Sequence, residues 1–141
     1  MISRCYLEIT NVCNLECLFC PKTERKGRTM SLEEFDLLTD RLSGRIKFLY
    51  FHLMGEPLMH RHLPEFVRMA KAKGFIPVLT TNGTLLDRAG DALLEALPHK
   101  VQISLHSHEG NGKDAPEVYM RQVMTFAQKA ARLGVIVVLR L

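Results

Sequence analysis

The sequence predicts an α/β fold built on a parallel sheet, and three observations carry that expectation. Short apolar runs alternate with single amphipathic helical patterns along the whole chain. Strands spaced by single helices form right-handed βαβ crossovers and therefore pair in parallel. The end of each strand-like run also carries an unusual polar or cysteine-bearing segment, and parallel α/β folds bind ligands at the carboxyl ends of their strands. The third observation is strand parity. Val101, Ile103 and Leu105 share one face of a strand, while Gln102, Ser104 and His106 share the other. A parallel strand covered on both faces is apolar throughout. Glu8 and Thr10 in the first run and Thr80 in the third repeat the polar inner face. The recurrence favours a site inside a curled sheet over an ordinary hydrogen-bonded core.

The first strand-like run covers residues 4–10 and leads into Cys13-Asn-Leu-Glu-Cys17-Leu-Phe-Cys20. Ser31-Leu-Glu-Glu34 is a capping box, and the helix it opens carries Phe35, Leu38 and Leu42 on one face. A second run, 46–53, ends at Met54-Gly55-Glu56-Pro57. Leu63, Phe66, Val67 and Ala70 form the next helical stripe, stopped at Gly74. The third run, 76–80, precedes Thr81-Asn82-Gly83. Leu86, Ala89, Leu93 and Leu97 mark a third helix, ended by Pro98. A fourth run covers 101–106. Tyr119, Val123, Phe126, Ala127 and Ala130 mark a fourth helix, closed by Gly134, and the fifth run covers 135–141 and contains Arg140. Five strands leave a sheet edge bare, which proteins avoid, so the sequence is expected to belong to a longer protein.

Composition bounds the function. With 141 residues and 47% hydrophobic content the chain suits one domain with a core. A net charge of +4 with scattered basic residues gives no nucleic-acid footprint. No apolar run reaches membrane-spanning length, and Glu8 and Asn11 interrupt any signal-peptide layout. A cytoplasmic location is expected. There, four cysteines with three in one tight loop read as metal ligands sooner than as disulfides.

Three thiolates from one loop can hold three corners of an iron–sulfur cube and leave the fourth iron open to a small molecule. Structural zinc is the competing reading, with His52, His60 or Cys5 as fourth ligand, although C-x3-C-x2-C lacks the paired ligand sets of zinc modules. Cys5 otherwise reads as a buried strand residue. His60 and His62 read as solvated, and His52 as a hydrogen-bonded interior or functional histidine. Lys22, Arg25, Lys26 and Arg28 read as a solvated face.

The C-x3-C-x2-C loop with Phe19 before its last cysteine, followed by Gly55-Glu56-Pro57 and then Thr81-Asn82-Gly83, resembles the radical S-adenosylmethionine (radical SAM) superfamily. The resemblance spans nearly the whole chain. It implies a parallel (β/α)6 partial TIM-type barrel, truncated after about the fifth strand, with residues 1–141 forming one radical SAM core domain incomplete at its C-terminus. It further implies that Cys13, Cys17 and Cys20 each ligate one iron of a [4Fe–4S] cluster, with S-adenosylmethionine on the fourth iron. Reductive cleavage would give a 5′-deoxyadenosyl radical that takes hydrogen from a substrate. Glu56 is expected to accept from the methionine ammonium, Gly55 to admit a close backbone approach, and Pro57 to fix the turn. Arg140 is expected on the methionine carboxylate and Ser104 on the ribose. Asn82 is expected either to touch the ligand or to shape its loop, and His106 to be the catalytic candidate, touching substrate or shuttling a proton. A flavodoxin- or ferredoxin-like electron donor is implied. The segment around Gly55 and the Gly27-Arg-Thr-Met30 lead resemble members carrying a SPASM-type domain, which act on peptides or proteins. Met54-Gly-Glu-Pro-Leu58 with Ile103-Ser-Leu-His106 also resembles RNA adenosine methyltransferases. That group has a substantial domain ahead of the barrel, whereas this chain begins almost at strand one, so nucleic acid is the weaker expectation. A non-catalytic zinc or iron–sulfur module is the remaining alternative.

Overall fold

The computed structural model describes residues 3–111 and 115–141. Five strands form one sheet in sequential order, every neighbour parallel: β1 (Arg4–Tyr6), β2 (Phe48–Tyr50), β3 (Ile76–Thr81), β4 (Lys100–Ser104) and β5 (Ile136–Arg140). The connecting helices are α1 (Leu32–Leu42), α2 (Leu63–Ala72), α3 (Leu86–Ala96), the short α4 (His106–Asn111) and α5 (Pro116–Arg132). A single 3-10 turn, Pro57–Met59, follows β2.

The sheet is covered on one side. Leu49, Leu79, Val101 and Ile103 point to the same face and join Phe35, Phe66, Leu93, Val123 and Phe126 in a single buried cluster. Phe35 stacks on Phe66 with ring centroids 4.3 Å apart and meets Phe51 edge-on at 5.5 Å. Aromatic pairs in these geometries add to the stabilisation from burial. The other face carries Tyr6, Tyr50, His52, Thr80, Gln102, Ser104 and Arg140, all exposed or half-buried. Strand alternation thus sends one row to the helices and one to an open interior.

The expected capping box is present: Ser31 Oγ accepts from Glu34 N–H while the Glu34 carboxylate accepts from Ser31 N–H. Helix α1 turns its buried stripe differently from the expectation. Leu38 is exposed and Thr39 takes the buried place. A buried hydroxyl needs a partner, and Thr39 Oγ1 donates to the Phe35 carbonyl at 2.7 Å. Leu97 also leaves the α3 stripe. It sits at φ +55° as the helix cap, and it is exposed.

Three strand runs are corrected, the second among them, which is expected over 46–53 and is a strand only at Phe48–Tyr50. The first run, expected to reach residue 10, stops as a strand at Tyr6, because the chain then pairs antiparallel with residues 28–30. The fourth, expected to reach residue 106, stops at Ser104, because the chain enters α4 at His106.

Candidate functional site

The cysteine loop is closed at its base by a short zipper. Met30 N–H donates to Ile9 O at 2.8 Å, and Thr10 bridges Thr29. The side chain of Asn11 bonds both the Lys26 carbonyl and the Arg28 N–H, and Thr10 Oγ1 donates to Arg28 O. The loop therefore leaves and re-enters the fold at one place, at the carboxyl end of β1. Two of its basic residues are engaged instead of simply solvated: Arg25 pairs with Glu8 at 2.8 Å, and Arg28 pairs with Glu34.

Cys13, Cys17 and Cys20 all line a cavity of about 410 Å³ at the carboxyl end of the sheet, together with His52, Met54, Gly55, Glu56, Thr80, Asn82, Ser104 and Ser107. None of the three cysteines is in a disulfide. Cys17 is buried, Cys20 half-buried and Cys13 exposed, and burial pushes the Cys13 thiol up. The volume lies in the range of small-molecule sites, about 300–1,000 Å³.

Gly55 and Glu56 brace this cavity from below. Gly55 has φ +80°, and a Cβ there would stand 2.5 Å from Thr10 O and 2.8 Å from Val12 O. Its bare backbone admits the chain that leads into the cysteine loop, and Glu56 N–H donates to Val12 O at 2.8 Å. The Glu56 carboxylate is fully buried. It accepts from Leu58 N–H at 2.9 Å, Thr81 Oγ1–H at 2.6 Å and Asn82 N–H at 2.7 Å. Burial raises its pKa above the usual carboxylate value, and these three donors pull the other way. The carboxylate thus spends three of its acceptor positions tying the loop after β2 to the loop after β3. Pro57 is buried at the start of the 3-10 turn and does not line the cavity.

Asn82 is committed inside the protein. Its Oδ1 accepts from Thr84 N–H and Thr84 Oγ1–H, its amide donates to Asn14 Oδ1, and its carbonyl accepts from Tyr119 Oη–H at 2.9 Å. Tyr119 is pushed up to about 12 by burial first and the Glu56 charge second.

His106 departs from its expected inner-face position. It opens α4, its ring lies 4.7 Å from that of Phe19 in the cysteine loop, and Ser107 lines the cavity in its place. Arg140 is exposed, in register with Ser104, and outside the cavity lining. Its charge nonetheless reaches His52. Burial, with Arg140 as the second cause, pushes His52 down to about 4. His60 is buried, not solvated. Nε2 meets Met30 O at 2.9 Å and Nδ1 accepts from His62 N–H, which commits both ring nitrogens. Cys5 packs against the core under the helices. Neither His60 nor Cys5 is therefore placed to complete a zinc site with the loop. Among the described residues, no three His, Cys, Asp or Glu side chains converge on a single-ion site. The donor chemistry fits an iron–sulfur group: soft thiolates alone from the loop, beside a space larger than an ion requires.

Sequence reasoning missed Asn14, Thr84 and Tyr119 at this site. An Asn immediately after a loop cysteine is a turn-forming residue, which was the available signal for Asn14.

A sequence model of the radical SAM superfamily matches residues 7–141. The chain belongs to the radical SAM superfamily. It is 41% identical over 107 residues to the GTP 3',8-cyclase of Chlorobaculum tepidum, covering 70% of this chain and 31% of that protein. It is 38% identical over 86 residues to a tungsten-containing aldehyde ferredoxin oxidoreductase cofactor-modifying protein of Pyrococcus furiosus, covering 57% of this chain and 24% of that one. The chain thus spans a third or less of these relatives. Among solved structures, BtrN in complex with AdoMet and 2-DOIA superposes with a TM-score of 0.75 at 24% identity, over 99% of this chain and 56% of that one. SuiB of Streptococcus suis bound to S-adenosylmethionine gives 0.76 at 16%, over 98% and 33%. These likenesses establish a partial TIM-like barrel for the fold. Among the described residues no helix is long and apolar enough to cross a membrane.

Proposed function

We propose that the chain is the cofactor-binding core of a radical SAM enzyme that abstracts hydrogen from an organic substrate. One observation carries this reading: three loop thiols and the segments ending β2, β3 and β4 line one cavity. Cys13, Cys17 and Cys20 would hold a [4Fe–4S] cluster, and the cavity beside them would take S-adenosylmethionine. When bound, this pair supplies a 5′-deoxyadenosyl radical after one-electron reduction.

The chain's own residues then bind and orient. Cys17, shielded from solvent, would present its thiolate to the cluster from the protected side of the loop. Glu56 fixes the loops after β2 and β3 against each other, and its engaged carboxylate makes it a positioning residue more than a contact for the methionine ammonium. Ser104 and Ser107 offer hydroxyls to the ligand's polar edge. His106 supports the loop through Phe19. The neutral His52 lines the cavity, Arg140 lies outside its lining where substrate would enter, and a flavodoxin- or ferredoxin-like protein would deliver the electron.

The open sheet face favours an anionic substrate over a basic one. Arg140 lies on it at the carboxyl end of β5 and forms no ion pair among the described residues, whereas Arg4 and Lys100 open their strands at the opposite, amino end. The carboxylate nearby, Glu8, is already neutralised by Arg25. Tyr6 and Tyr50, stacked 4.7 Å apart, offer an aromatic wall on that same face. Such a surface suits the nucleotide and cofactor chemistry named for the relatives, and it also admits an acidic peptide.

The test is anaerobic reconstitution with iron and sulfide, reduction, and chromatography for methionine and 5′-deoxyadenosine. Both products are expected from the wild-type protein and neither from Cys17→Ala. Colourless wild-type protein holding one zinc would replace this reading with the metal-module one.

A further inference from the structure

Asn14 stands between the first two cysteines, and its side chain takes part in a closed ring of hydrogen bonds with two residues of the loop after β3. Its Nδ2–H donates to Thr84 Oγ1 at 2.8 Å, the Thr84 hydroxyl donates to Asn82 Oδ1 at 2.7 Å, and the Asn82 amide donates back to Asn14 Oδ1 at 2.9 Å. Every donor in the ring meets an acceptor, so the ring has one sense and fixes both amide orientations. Asn82 is itself held by Glu56 through its N–H, by Tyr119 through its carbonyl, and by Thr84 through a second bond to Oδ1. Asn14 is therefore tied to one of the most firmly held points of the site.

The cysteine loop needs such a tie. Its base is zipped at residues 9–12 and 26–30, but Cys13 is exposed, Leu18 points outward, and the tip of the loop meets α4 through the Phe19 ring on His106. Within the loop, a Cys20 N–H to Cys17 O turn holds the last two cysteines together, and no corresponding turn ties Cys13 to them among the described residues.

We propose that Asn14 is a positioning residue that clasps the cysteine loop onto the β3–α3 loop through Asn82 and Thr84, setting Cys13 and Cys17 over the cavity before any metal arrives. This rests on the ligand role proposed for the three cysteines, yet it concerns the loop in the metal-free protein. A preorganised ligand set loses less freedom on binding, so the clasp also slows loss of the bound group.

The experiment uses the reduced, metal-free chain under anaerobic conditions, with iodoacetamide as probe and mass spectrometry as readout at each cysteine. In Asn14→Ala, alkylation of the buried Cys17 is expected to rise about fivefold, the effect of losing a hydrogen bond or two that hold a local opening closed, while Cys13, already exposed, keeps its wild-type rate. Cys5, beneath the helices, is the internal control and keeps its wild-type rate. Thr84→Val breaks the same ring from the far side and is expected to give the same pattern, with the double variant no faster than either single one. Wild-type rates at Cys17 in both single variants would overturn the proposal, and so would equal acceleration of Cys5, which would mean general loosening. After reconstitution, the variants are expected to release iron to a chelator several times faster than wild type while keeping the wild-type EPR line shape. Wild-type protein that failed to take up iron would count against the proposed function, but the alkylation result would stand on its own.

Discussion

Replacing Glu56 separates a carboxylate that braces the fold from one that greets a ligand. The side chain is 1% exposed and accepts three hydrogen bonds, two on Oε1 and one on Oε2. Glu56→Gln keeps the shape and one oxygen, so the bonds to Leu58 N–H and Thr81 Oγ1–H survive. The new amide then points a donor at the Asn82 N–H. Leaving that buried donor unmet costs about 1–3 kcal/mol, and relief of the buried charge offsets part of it. A net loss of about 1–2 kcal/mol is expected. Glu56→Ala strands all three donors and leaves a hole, and its expected loss is about 3–5 kcal/mol. Urea unfolding of the metal-free protein measures both, with an unchanged m-value as the check on two-state behaviour. A pH series adds a signature. Because burial raises the Glu56 pKa in the folded state, the native state holds that proton more tightly than the unfolded chain. Wild type should therefore lose stability relative to Glu56→Gln as pH rises above the ordinary carboxylate value. A Glu56→Gln variant within about 0.5 kcal/mol of wild type, with weakened binding of S-adenosylmethionine, would refute the bracing role.

Three further outcomes are expected. Gly55→Ala places a methyl 2.5 Å from the Thr10 carbonyl at a positive φ. Backbone on both sides cannot yield, so a loss above about 2 kcal/mol is expected by urea titration, and a tolerated alanine would mean the loop is not seated as described. Phe35→Ala removes a fully buried ring packed between Phe66 and Phe51, at an expected cost of about 3–5 kcal/mol. His52 is held neutral down to about pH 4, against about 6.5 when unfolded. Its contribution is present above pH 6.5 and lost as pH falls toward 4, so His52→Gln should flatten the stability profile in that window. An imidazole NMR titration of His52 with a midpoint near 6.5 would contradict this.

The helices were legible in the sequence because each buries one stripe, and Phe66, Val67, Val123 and Phe126 lie where periodicity placed them. Leu38 and Thr39 exchanged roles because a threonine that bonds back to its own helix can be buried without an unmet hydroxyl. Helix α4 was missed, since six residues carry no readable period, and its presence moves His106 off the strand face. The cysteines and the segments at the strand ends were legible as short motifs. The roles of Glu56 and Asn82 were not, because their deciding partners lie 25–68 residues away in the chain. Local pattern shows which residues are present at a site, and only the fold shows where their hydrogen bonds are spent. His60 makes the same point: its buried ring is held by Met30, 30 residues away.

The central claim is that three cysteines hold a cluster with one iron left open. EPR of the reduced, anaerobically reconstituted protein, recorded before and after adding S-adenosylmethionine, tests it most directly. A [4Fe–4S] signal whose g-values shift on addition is the expected result. A signal that does not respond, or protein that incorporates no sulfide, would contradict it.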